Sequence, residues 1–422
     1  MNQPRTVSIV VPTHNRSAQL AKSLAALAQQ SWPANEFEVL VIADACQDDT
    51  AEMVTAFAAL APYRLHLLSH NAKSAAATRN LGADNAQGEV LLFLDDDVVP
   101  QPGWLQAHLA AHHSNEVVLG YSKPVLPAQP SWWQYDARRW WEDTFREMGR
   151  LGHRFTYRDL FSGNVSLPTS LFRQIGGFDL TFSGRLEDYE LGLRLLKAGA
   201  KFHFAPEALG YHYDTTDLVQ WLRRIRHEGV AHVQMGESHP ELCVSLFPEV
   251  EACERWRRVL RGLAWAYPKR GDRLEWLLLR LAALSERLRL RYRWDQVVRV
   301  LREYNYWRGV AATIGGRQKL AAWLQEVPLP APIASDAPII DMAALPPPST
   351  LQSLLEQGNR SGLRLTLDGM EVLTLSPEPG AEPLREEHLH SALRALTEQK
   401  FIPALALRLV QAAQGGPVWQ SN

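Results

Sequence analysis

Apolar runs and helical spacings alternate along the first hundred residues. Val7–Val11 (VSIVV) is a β-branched run and predicts a buried strand, closed by the turn residues Pro12, Thr13, His14, Asn15 and Arg16. Ser17–Gln30 then carries Leu20, Leu24 and Leu27 at helical spacing. Phe37–Ile42 predicts a second strand ending at Asp44, and Asp48 or Asp49 can cap a helix bearing Met53, Val54 and Phe57. Leu65–Leu68 predicts a third strand, Ala75–Asn85 a helix, and Val90–Leu94 a fourth strand, apolar at every position. Four strand–helix alternations in so short a length predict an α/β fold with a mostly parallel sheet.

Further along, Pro102–His113 predicts a helix and Val117–Tyr121 a strand, before Pro124, Pro127 and Pro130 interrupt the pattern. The segment SWWQYDARRWW follows, and its Trp132, Trp133, Trp140 and Trp141 suit core packing, a sugar face or a membrane interface. Phe161–Pro168 predicts another strand, Glu187-Asp188 opens a helix, Phe202–Ala205 a strand, and Leu218–Met235 a helix. Residues 251–324 read as helical and rich in Leu, Trp and Arg, with an apolar stripe beside an arginine-bearing face. Val327–Pro348 reads as a Pro/Ala-rich linker. Leu363–Leu375 reads as a hairpin turned at Asp368-Gly369, between helices near 351–357 and 385–397. The expected organisation is therefore a catalytic domain over 1–235, a helical extension over 236–326, a linker over 327–348 and a small α+β module over 349–422.

At 422 residues the chain is too long for one ordinary core. With 46% hydrophobic and 21% charged residues and a net charge of −2, nothing global points to nucleic acid. Asp217–Glu326 nevertheless holds 20 Lys and Arg against 13 Asp and Glu, which suits a solvated helical surface, an anionic membrane face or a phosphate-bearing acceptor. Cys46, Cys243 and Cys253 form neither a metal spacing nor a disulfide framework, so a reducing compartment is expected. The N-terminus lacks a signal-peptide pattern and no run of about 18 apolar residues occurs. The expected location is the cytoplasm, with peripheral contact on the inner membrane face.

Three consecutive acids, Asp95, Asp96 and Asp97, end the all-apolar Val90–Leu94 run. Unpaired carboxylates are too costly to bury in such a core, so they stand at the strand's carboxyl end, where open α/β sheets bind ligands. Hard oxygen ligands there suit Mg²⁺ or Mn²⁺ with a phosphate; a solvated acidic turn is the plainer alternative. No GxGxxG or GxxxxGK[ST] loop opens any predicted helix, which disfavours the dinucleotide and P-loop classes. The acids Glu187 and Asp188 stand where helix capping alone would also favour them.

The pieces VSIVVPTHNR, EVLVIADACQDDT, AAATRNLGADNAQGEVLLFLDDD, the strand with Asn164, and GGFD…GRLEDYELGLRLLKAG, in that order, resemble glycosyltransferase family 2 over about Val7–His212. The resemblance implies a GT-A fold, Rossmann-like, and an inverting enzyme of polysaccharide or cell-envelope synthesis. Such an enzyme moves sugar from a nucleotide-diphosphate donor, UDP-linked, to a hydroxyl of a glycan or lipid-linked acceptor. It also implies Pro12, Thr13, Asn15, Asp44, Arg79, Asp95 and Asp96 at the nucleotide; Asp97, Asp95 and His212 at a Mn²⁺ or Mg²⁺ ion; Asp188 as general base, with Glu187 beside it; and Asn164, Gly177, Trp140 and Trp141 at the acceptor. Ala43 and Cys46 stand where many members carry Asp and Ser, which leaves base choice open. A sugar-nucleotide-binding protein without transfer activity is the rival; it need not keep Asp188. A nucleotidyltransferase would call for a glycine-rich basic loop after the first strand, and PTHNRSAQL is not one.

Overall fold

The computed structural model describes residues 6–112, 116–182, 185–247, 255–326, 333, 336–342, 344–367 and 369–389. The chain divides into two compact units, Met1–Arg146 with Phe155–Leu329, and Glu147–Arg154 with Pro330–Asn422. The expected catalytic domain and helical extension thus belong to one unit.

Its first part runs β1 (Val7–Thr13), α1 (Ser17–Leu27), β2 (Phe37–Asp44), α2 (Thr50–Ala58), β3 (Arg64–His70), α3 (Ala75–Asn85) and β4 (Val90–Leu94). Next come β5 (Val98–Pro100), α4 (Trp104–Ala111), β6 (Glu116–Pro124), α5 (Trp132–Met148), β7 (Asn164–Pro168), α6 (Thr169–Gln174), α7 (Glu187–Lys197) and β8 (Lys201–His212). The helical extension is α8 (Leu218–Ser238), α9 (Cys243–Leu246), α10 (Arg255–Ala266), α11 (Pro268–Arg287), α12 (Arg291–Ile314) and α13 (Arg317–Glu326).

The eight strands form one sheet in the order β3-β2-β1-β4-β7-β6-β8-β5. All neighbours are parallel except β7, which runs against β4 and β6, and β5, which runs against β8. β1, β2 and β4 are buried along nearly their whole length, as their unbroken apolar runs require, and Leu20, Leu24 and Leu27 of α1 pack on them. Three departures from the patterning stand out. The strand expected from Phe161 begins only at Asn164. β5 is too short to show an alternation of its own. The tryptophan segment after the prolines is a helix, α5.

In the extension, α12 lies along α8, and glycines make the crossing possible. A Cβ on Gly309 would stand 1.9 Å from the carbonyl oxygen of Arg226, and one on Gly229 2.2 Å from that of Tyr306. Forcing a methyl group into such a contact costs roughly 1–3 kcal/mol or more. Gly309→Ala should therefore lower the thermal midpoint by several degrees in a calorimetric scan; an unchanged midpoint would contradict this close packing.

The second unit holds β9 (Ile339–Asp341), α14 (Pro348–Ser361), β10 (Leu363–Leu367) and β11 (Met370–Leu375). The order is β11-β10-β9, with the hairpin turning at Gly369 in left-handed backbone (φ 78°). Ile339–Asp341, inside the stretch read as a linker, is thus a strand: Ile340 is buried against Leu351, Leu363 and Leu365. The helix expected over 385–397 lies mostly outside the described residues, of which 386–389 are helical.

Candidate active site

β1, β2 and β4 share one direction, so the turns after Thr13, Asp44 and Leu94 open onto a single edge. There they meet α5, α7, α8 and α12 around a cleft of about 1340 Å³.

Asp95, Asp96 and Asp97 leave the strand together but face different partners. Asp95 accepts from Arg79 at 2.8 Å, and its own N–H donates to the Gly163 carbonyl at 3.0 Å. A Cβ at Gly163 would lie 2.3 Å from Asp95 Oδ2, so only glycine lets β7 back this carboxylate. Asp96 turns inward, accepting from the Thr13 hydroxyl at 2.7 Å and Arg16 at 3.0 Å. Burial pushes its carboxyl up to about 6 even with Arg16 beside it. Asp97 accepts from Arg16 at 2.7 Å, and its other oxygen lies 3.5 Å from His212 Nε2.

Asp44 is buried, and its carboxylate receives the N–H groups of Lys73 and Ser74 and the Thr78 hydroxyl. Burial raises its pKa, but these donors outweigh it and hold the group below the ordinary carboxylate range. They tie Asp44 to the start of α3, the helix that carries Arg79. Arg79 is itself buried and reaches Glu187 at 3.3 Å as well as Asp95. Pro12 and Asn15 line the same cleft; Asn15, in left-handed backbone, accepts from the Gln47 N–H at 2.6 Å.

Leu186 is also left-handed (φ 66°), an uncommon state for a buried leucine, and it launches α7 with Glu187 and Asp188 facing the cleft. Glu187 pairs with Arg79, while Asp188 accepts from the Tyr189 N–H at 2.9 Å. Burial first, then the neighbouring Glu187, pushes the Asp188 carboxyl up to about 7, against the pull of Arg185 and Arg79.

Two expected acceptor residues lie elsewhere. Asn164 is buried behind the cleft: its Oδ1 accepts from Trp104 Nε1 and faces His108 Nε2, both at 2.9 Å, and its Nδ2 donates to the Ala208 carbonyl at 3.1 Å. With its amide bonded on both sides, it cross-links β7, α4 and β8 and does not line the cleft. Gly177 is a left-handed turn residue (φ 70°) against Asn80, whose amide brackets Phe178. It too does not line the cleft. Trp140 and Trp141 do, joined by Trp133, Trp221 and Trp294.

Sequence reasoning placed Arg79 at the site but missed the cleft's other cations. Arg185, Arg224, Arg299 and Arg302 line it, and among the described residues none of them meets a carboxylate at ion-pair distance. Only Arg16 carried a local signal, its place in the turn after β1.

The family model described as glycosyl transferase family 2 matches residues 8–176, and that of an N-terminal domain of galactosyltransferase matches 143–217. Residues 8–176 carry a glycosyltransferase family 2 domain. The chain's eight-stranded mixed sheet is the GT-A architecture that the family resemblance implies. The chain is 32% identical over 230 residues to validoxylamine A glucosyltransferase of Streptomyces hygroscopicus subsp. jinggangensis, covering 48% of the chain and 54% of that relative. It is 27% identical over 257 residues to pre-mycofactocin glycosyltransferase of Mycobacterium tuberculosis, covering 60% and 52%. The chain thus spans about half the length of these relatives. A solved structure, the mannosyltransferase PcManGT from Pyrobaculum calidifontis in complex with GDP-Man and Mn²⁺, aligns over 72% of this chain and 88% of its own, at 18% identity and TM-score 0.49.

Proposed function

We propose that this chain transfers a sugar from a nucleotide-diphosphate donor, UDP-linked, to a hydroxyl acceptor with inversion at the anomeric carbon. The observation that carries this reading is that Asp188 lines the same cleft as the Asp95–Asp97 turn, and burial raises its carboxyl to about 7. A carboxylate of that basicity can accept the acceptor's hydroxyl proton as the oxygen attacks from the face opposite the leaving diphosphate. A base on the acceptor side, with the leaving diphosphate opposite, suits a single displacement. Arg79 holds Glu187 and Asp95 in one network, which keeps the acids on the two sides of the reacting centre in fixed relation. The turn after β1, Asp44 and α3 would cradle the nucleoside.

Asp97 and His212 fit a divalent ion. Their facing atoms are 3.5 Å apart, close to the roughly 3 Å between adjacent ligands of an ion with 2.1 Å bonds. Among the described residues no three His, Cys, Asp or Glu side chains gather as a complete ligand set, so donor phosphate oxygens would share the coordination. Such an ion, when bound, offsets negative charge on the departing diphosphate. Arg224 and Arg185 stand close by to do the same.

On the acceptor side, the tryptophans offer sugar faces, and Arg299 and Arg302 offer guanidinium groups to an anionic substituent. The test is transfer from UDP-, GDP- and dTDP-sugars with Mn²⁺ or Mg²⁺, using matched acceptors with and without a phosphate. Metal-dependent transfer from a UDP-sugar, favouring the phosphorylated acceptor, is expected. Donor binding with no turnover on any acceptor would favour the binding protein instead.

A further inference from the structure

Helix α11 presents two parallel rows to solvent. Leu277, Leu281, Leu284 and Leu288, the last just past its end, follow helical spacing and are 45 to 57% exposed. Arg273, Arg280 and Arg287 form the adjoining row, seven residues apart and exposed. Trp276 lies at the edge, half exposed, with the Arg280 guanidinium 3.7 Å from its ring centroid. The row continues past the helix through Arg289, Leu290 and Tyr292.

The acids of α11 are all engaged inward. Asp272 accepts from the Tyr304 hydroxyl at 2.7 Å; Glu275 accepts from Arg226 at 2.7 Å and Asn305 at 2.9 Å; Glu286 accepts from the Trp132 N–H at 2.7 Å. The outward face of α11 therefore combines apolar and cationic groups with none of the helix's own acids among them.

We propose that this face docks onto an anionic lipid bilayer, with the leucine row and Trp276 at the level of the acyl boundary and the arginines among the headgroups. An apolar row of about 16 Å on a surface helix fits a plane better than a pocket. The lack of acids argues against a second copy as the occupant, since pairing two such faces would set arginine rows together with nothing between them. No helix among the described residues is long and apolar enough to cross a membrane, so the contact would be interfacial. It depends on this surface and not on the transfer reaction.

The test is sedimentation of the whole chain with phosphatidylglycerol-containing and pure phosphatidylcholine vesicles. Binding to the anionic vesicles at low salt is expected, weakened by about tenfold or more in neutral vesicles or at high salt. A triple change, Leu281→Ser, Leu284→Ser and Leu288→Ser, should weaken it comparably, as should a second variant with Arg273→Glu, Arg280→Glu and Arg287→Glu. Both alter exposed side chains only, and circular dichroism should show their folds intact. No binding at low salt, or binding unchanged in both variants, would overturn the proposal. So would a self-associated chain that the leucine variant converts to monomer while vesicle binding stays absent.

Discussion

Asp188→Asn should lower the transfer rate by a factor of about 10²–10⁴ while shifting donor affinity by less than about 1 kcal/mol. The substitution is nearly isosteric, and the amide oxygen can still accept from the Tyr189 N–H, so the start of α7 is preserved. What it removes is the capacity to take a proton. The donor's expected contacts, at Asp44 and Asp97, belong to other elements. A base works in its deprotonated form, so kcat/KM for the parent should rise with pH through about 7 and then level off, a limb the variant lacks.

Stability supplies an independent readout. The folded carboxyl sits at about 7, above its ordinary 3.8. Between those values the folded state keeps a proton that the unfolded chain has released, so this group's contribution to stability falls as pH rises across the window. The variant should therefore gain thermal midpoint relative to the parent at pH above 7 and not near the lower end. Wild-type transfer by Asp188→Asn would remove both the base assignment and the inverting mechanism. The fold would stand.

The second large effect belongs to the other side of the reaction. Asp97→Ala should abolish transfer and weaken nucleotide binding in the presence of Mn²⁺ by at least about a hundredfold, since even indirect supports of a metal ligand are worth 10–100-fold. The fold should survive, because Arg16 keeps Asp96 as a partner and the core below β4 is untouched. Calorimetric titration of nucleotide with and without Mn²⁺ separates the metal contribution from the rest, and a melting curve checks the fold. Metal-dependent turnover retained in this variant would refute the assignment of Asp97.

Much of this architecture is legible in the residues. β1, β2 and β4 announce themselves as apolar runs because burial on both faces leaves no polar position, and α3 and β4 fall where spacing puts them. Other features depend on contacts that a linear pattern cannot carry. The reversed direction of β7 is set by its neighbours and not by its own apolarity. Asn164 is placed at the acceptor by the family resemblance alone; its partners Trp104 and His108 come from a helix some sixty residues earlier. Gly177 suggested room for substrate, whereas its backbone angle and Asn80 explain it. Likewise, Arg299 and Arg302 are ordinary helix-surface residues until α12 packs along α8 and turns them into the cleft.

The cleft's walls are drawn from different lengths of chain. The turns after β1, β2 and β4 come from residues up to Val98, whereas Trp133, Trp140, Arg224, Trp294, Arg299 and Arg302 come from α5, α8 and α12. The two family matches end at residues 176 and 217, before most of that second wall. If the proposed roles hold, mutation of that wall would remodel what is glycosylated without disturbing the residues that read the donor. Descendants of one ancestral gene could diversify their products by exchanging this helical wall alone.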